Sequence, residues 1–167
     1  MTVEQTNGDP WGVLEYEVKM FDATYKIFFT RSTFTVLPTA LKNAAEESAV
    51  LHTRNLCEIF LGPHKEDDIR LAYLLRGWPQ HPRYTDITAM NKKLRGRYPR
   101  TLFNQYVMHP TRHRGTQYNY EKDLADLYPL IQDIISALDD EFESLTGKRF
   151  NPQFVGPTYQ RTVLGLI

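Results

Sequence analysis

Apolar residues recur along this chain at the spacing of helices, with no convincing alternation of period two. After Asp9-Pro10, residues Leu14, Val18, Phe21, Tyr25 and Phe28 follow one another at steps of four and three. Val13, Tyr16, Met20, Ala23 and Ile27 form a second row beside them. Asp suits a helix cap and Pro the first helical position, and two adjacent apolar rows predict a helix over roughly 10–29 with a wide buried face. Thr30 to Thr35 reads as a connection.

Pro38 opens a second predicted helix that runs to about Leu61 and is stopped by Gly62-Pro63. Its apolar stripe is Leu41, Ala45, Leu56 and Ile59, with Glu46, Glu47, Thr53, Arg54 and Glu58 mostly away from it. His64 to Asp68 reads as a loop. Asp67 or Asp68 is placed to cap a short helix from Ile69 to Leu75, ended by Gly77-Trp78-Pro79. Thr85 or Asp86 caps the next, with Ile87, Met90, Asn91 and Leu94 on one side and Gly96 and Pro99 as interruptions. Thr101 to Met108 fits either a resumed helix or extended chain. His109-Pro110 to Gln117 has the composition of a loop.

The last helix is the plainest. Leu124, Leu127, Ile131, Ile134, Leu138, Phe142 and Leu145 keep a three-four rhythm and Gly147 supplies the stop. Pro129 either kinks this helix or marks its first turn. Long one-sided helices with short connections predict an all-α fold, an up-and-down bundle of four to five helices over residues 1–149. Residues 150–167 form a tail whose apolar end, Val163 to Ile167, is expected to dock on the core or on a partner subunit.

Charge changes the picture. The 167 residues hold 20 Lys and Arg against 20 Asp and Glu, so any electrostatic function must be local. From Ile87 to Tyr120 there is no acid, but there are Lys92, Lys93, Arg95, Arg97, Arg100, Arg112 and Arg114, with His109 and His113. From Glu121 to Thr146 eight acids face Lys122 alone. Either the basic block meets an external polyanion such as RNA or DNA, or the two blocks meet each other. Arginines suit phosphate, and Tyr98, Phe103, Tyr106, Tyr118 and Tyr120 are placed to stack on bases or to fill the core.

Other candidates are sparser. His52 sits mid-stripe on the second helix, with Ser48 and Asn55 one turn away on the same side. This polar trio reads as a ligand pocket, a general base oriented by Asn55, or a hydrogen-bonded core network. Arg76 and His81 match an Arg-x4-His spacing found in some RNA-cleaving helical domains, although Gly77 and Pro79 spoil the helical geometry between them. His109, Arg112 and His113 make a loop cluster without an evident third metal ligand. The single cysteine, Cys57, reads as a small buried apolar residue. No metal site or cofactor motif is found. The lack of a secretory start and of a long apolar run leads to the expectation of a cytoplasmic protein with no membrane span.

The stretch from Glu47 to Phe60, with His52, Arg54, Asn55 and Leu56, followed by Asp67-Asp68-Ile69 and by Met90-Asn91-Lys92-Lys93-Leu94, resembles a group of bacterial helical proteins. These in turn are similar to HEPN domains, helical bundles that often dimerise and sometimes cleave RNA. The resemblance spans residues 10–145 but rests on short patches. It carries over His52, Arg54 and Asn55 without a set role. Two residues after Leu94 the group leads one to expect His, and this chain has Gly96, so the resemblance implies the fold more than a nuclease. Three functions remain open: a non-enzymatic RNA- or DNA-binding module using residues 92–114, a homodimeric interaction module of antitoxin or structural type, and a HEPN-like ribonuclease with His52 or His81 beside an arginine.

Overall fold

The computed structural model describes residues 9–30, 35–62, 68–104 and 120–150, and among them every regular element is helical. In chain order these are α1 (Pro10–Phe29), α2 (Thr39–Leu61), α3 (Leu71–Leu74), α4 (Tyr84–Arg97), α5 (Arg100–Phe103) and α6 (Tyr120–Thr146). Four of them are helices proper, and α3 and α5 are single turns.

Local chemistry sets the ends. The Asp9 carboxylate accepts a hydrogen bond from the Trp11 N–H at 3.1 Å, and Pro10 occupies the first turn of α1. Gly62 ends α2 at φ 63° and Gly147 follows α6 at φ 69°, backbone positions that favour glycine. The last carbonyls of α2 are capped from α4. Asn91 Nδ2 donates to the Phe60 carbonyl at 3.0 Å, and Arg95 Nη2 to that of Leu61 at 2.8 Å.

α2 is the central element, in contact with α1, α4, α5 and α6, while α4 also packs on α6. Leu14, Val18, Phe21 and Tyr25 of α1 and Val50, Leu56, Cys57 and Phe60 of α2 are buried. They share a core with α6 residues from Leu124 to Phe142. Tyr128 stacks between Phe21 and Tyr25 at centroid distances of 5.0 and 3.6 Å and donates its hydroxyl to Asp22. Phe150 stacks on Phe142 at 4.0 Å, beside Trp11. Pro129 lies inside α6 rather than at its first turn.

Several finer expectations are corrected. The second apolar row of α1 is not buried: Val13 is 41% exposed, Tyr16 56% and Ile27 38%. The buried face of α1 is completed instead by Glu17 and Thr24, beside the row from Leu14 to Phe29. In α2 the stripe starts later than expected, since Leu41 is 53% exposed and burial begins at Ala49. Thr53, expected to face away, is buried because α2 is surrounded, and its hydroxyl is satisfied by the Ala49 carbonyl at 2.7 Å. Leu145 is 44% exposed, beyond the last buried turn of α6. Neither Thr85 nor Asp86 caps α4. Arg83 precedes it, without a side-chain cap, and Arg70 likewise precedes α3. The tail from 151 to 167 lies outside the described residues.

Candidate functional site

A chain of polar side chains crosses the seam between α1 and α2. Glu17 and His52 lie about equally far from the connection that joins these helices, which brings them together as in an antiparallel pair. Both are buried. A carboxylate only accepts, so His52 Nδ1–H donates to Glu17 Oε2 at 2.8 Å. Asn55 Nδ2 donates to both Glu17 oxygens at 3.2 Å. The Asn55 carbonyl therefore faces the other way, where Arg54 Nη1 lies 3.4 Å from it. Arg54 Nε donates to Asn104 Oδ1 at 2.6 Å, just past α5. The Tyr16 ring meets His52 edge-on at 5.9 Å. Of the expected trio, His52 and Asn55 are thus joined through Glu17, and Ser48 makes no side-chain hydrogen bond among the described residues.

Sequence reasoning missed Glu17 and Asn104. For Glu17 a signal existed: Leu14, Glu17 and Phe21 are spaced three and four apart, which puts an acid in an otherwise apolar row. For Asn104 none did, because its partner is fifty positions away.

The described part of the basic block lies against the C-terminal end of α2. Lys92, Lys93, Arg95 and Arg97 are exposed on the C-terminal half of α4, where cations also oppose the helix dipole. Arg95 is tied to the end of α2 by a neutral carbonyl, so its charge is uncompensated. Arg100 is different: its Nε and Nη2 donate to the two oxygens of Glu58 at 2.9 and 2.8 Å. The Tyr98 hydroxyl also donates to Glu58, and burial holds that phenol well above its ordinary value. Lys92, Lys93 and Arg97 make no hydrogen bond or ion pair among the described residues. Arg112 and Arg114 lie outside them, as do His109, His113, Tyr106 and Tyr118.

Four acids near the C-terminus of α6 have other partners. Arg149 bridges Asp139 and Glu143, Arg83 donates to Asp140 at 2.9 Å, and His81 Nε2 lies 3.7 Å from Glu141. None of the described cations of the basic block pairs with α6. Phe103 is fully buried, with Tyr98 and Tyr120 against its ring, so it belongs to the core and not to a stacking surface.

Arg76 and His81 sit in a run of turns between α3 and α4, not on one helix. Arg76 is exposed, while the His81 ring is held between Glu141 and the Arg83 N–H. Gly96 is exposed in the last turn of α4, with open space where a side chain would start. Cys57 is buried, and burial raises its thiol well above the ordinary range. Among the described residues no three His, Cys, Asp or Glu come together to hold a metal, and no helix is long and apolar enough to cross a membrane. No family model matches the chain, and no curated protein or solved structure does either.

Proposed function

We propose that this protein is a helical nucleic-acid-binding module that grips the backbone of single-stranded RNA or DNA with the exposed end of α4. The observation that supports this reading is that the acids near the C-terminus of α6 find their partners outside the basic block. Asp139, Asp140 and Glu143 are taken by Arg83 and Arg149, and Lys92, Lys93 and Arg97 are exposed with no carboxylate partner among the described residues. Arg95 and Arg54, with only neutral acceptors, extend the same positive surface. Phosphate contacts of this kind position a strand without reading its sequence. The test is fluorescence anisotropy with a labelled single-stranded oligonucleotide at low salt. Changing Lys92, Lys93 and Arg97 together to Glu abolishes binding while the melting temperature stays close to that of the parent. Retained binding would overturn the proposal.

A second reading, self-association, is favoured by a different observation. Of eight large apolar residues exposed among the described ones, Val13, Tyr16, Ile27, Val36 and Leu41 lie on α1 and at or just before the start of α2. The row from Val13 to Ile27 carries no charge, so a second copy can pack on it without like-charge contact. By helix geometry α1 is about 30 Å long, and Val36 and Leu41 widen its apolar row at one end. Sedimentation then gives a dimer that Ile27→Glu with Leu41→Glu converts to a monomer. A monomeric parent removes this reading.

A further inference from the structure

We infer that Arg54 is a preset oxyanion anchor, a single guanidinium aimed and held by neutral amides to receive a phosphoryl group. The inference rests on the nucleic-acid reading above and deepens it by assigning the residue that fixes the strand. Arg54 is half-buried on α2. Burying an arginine away from water is costly unless a carboxylate compensates it, and bidentate pairing is the usual solution. The chain shows that solution close by, in Arg100 with Glu58. Glu58 is four residues after Arg54, a spacing that favours an ion pair on a helix, yet it is bound to Arg100 and Tyr98 instead. Arg54 has no carboxylate within ion-pair distance among the described residues.

What Arg54 has is orientation. Asn104 accepts from Nε, and Asn55 lies against Nη1. Asn55 is itself fixed by the Glu17 carboxylate, which also holds His52. Two of the five guanidinium N–H groups are thereby engaged by uncharged oxygens, and the others are left to donate. The charge is aimed without being cancelled. On α2, Glu58 and Leu61 continue the Arg54 side toward the C-terminus, and these are the residues that receive Arg100 and Arg95. Arg54 and the Leu61 carbonyl are seven residues apart, about 10 Å along the helix, so the anchor and the α4 cations form one row suited to successive phosphates.

Two phosphate sources share this chemistry, a phosphodiester strand and a free phosphate. The experiment follows the Arg54 Nε–H signal by NMR, identified by its loss in Arg54→Lys, while a thymidine decanucleotide or inorganic phosphate is added. The decisive variant is Asn104→Asp, which puts a carboxylate where the amide oxygen lies 2.6 Å from Nε and cancels the charge from inside. The expected result is a shift of the signal with the oligonucleotide, and at least ten-fold weaker oligonucleotide binding in both Asn104→Asp and Arg54→Lys, each with a parental melting curve. A signal that moves with inorganic phosphate alone identifies a small-phosphate site and overturns the strand assignment. If the oligonucleotide binds but neither the signal nor the two variants respond, the anchor is wrong and the α4 surface stands. If the oligonucleotide does not bind at all, the nucleic-acid reading itself falls.

Discussion

α4 and α6 lie side by side in this fold and carry opposite charge, yet they use it in opposite ways. On α6 the acids near the C-terminus are consumed within the protein by Arg83, Arg149 and His81. α4 packs on α6 and buries Ile87 and Leu94, while Lys92, Lys93, Arg95 and Arg97 stay exposed. Among the described residues, two neighbouring blocks of opposite sign are therefore not a zipper. Packing decides which faces of two helices meet, and charge placed on the outer faces stays available.

Single substitutions separate the parts played by the two helices and the seam beside them. The largest effect belongs to the seam under Arg54. Glu17→Ala leaves His52 and Asn55 without their shared acceptor, and each buried donor left unsatisfied costs about 1–3 kcal/mol. Urea unfolding checks this. A loss below 1 kcal/mol would mean that the seam is open to water.

Next comes Glu58→Gln. It frees the Arg100 charge and adds one cation to the positive surface. Oligonucleotide binding should tighten at low salt, and the slope of log affinity against log salt should steepen by about 0.7 for a single strand. An unchanged slope would place Arg100 outside the interface.

A smaller effect is read by pH where α2 meets the end of α4. Burial, and then Glu58, raise the Cys57 thiol well above its ordinary value of 9.0, and burial raises Tyr98 from 10.0. A raised folded value means that the contribution of the neutral form is complete below the ordinary value and is lost as pH rises through the folded one. Stability should decline above pH 9.0, less steeply in Cys57→Ala, and native Cys57 should resist thiol reagents until the chain unfolds. Ready labelling at neutral pH would contradict the burial.

The smallest effect is expected for Arg83→Ala on the α6 side. An exposed pair contributes about 0–1 kcal/mol, and oligonucleotide affinity should not change. A clear loss of affinity would move the binding surface toward α6.

Much of this fold is legible in the sequence where one residue type dictates local geometry. Asp9-Pro10 and Gly62 mark helix ends because capping and positive φ are local requirements. The rhythm from Leu124 to Phe142 is buried throughout because α6 is long enough for one face to be unmistakable. What is not legible is which of two apolar rows is covered. Val13, Tyr16 and Met20 recur at steps of three and four just as Leu14, Val18 and Phe21 do, and periodicity cannot name the neighbour. The site divides in the same way. His52 and Asn55 stand out on an apolar stripe, but Asn104, Glu58 and the fate of the α6 acids depend on contacts between distant parts of the chain.

The most direct measurement is the affinity of the native protein for a labelled single-stranded oligonucleotide as a function of salt. With Lys92, Lys93 and Arg97 each meeting a phosphate, log affinity falls linearly with log salt at a slope of about −2 or steeper. A flat dependence, or no binding at the lowest ionic strength, would contradict the claim that the cationic end of α4 is kept free for a foreign phosphate backbone.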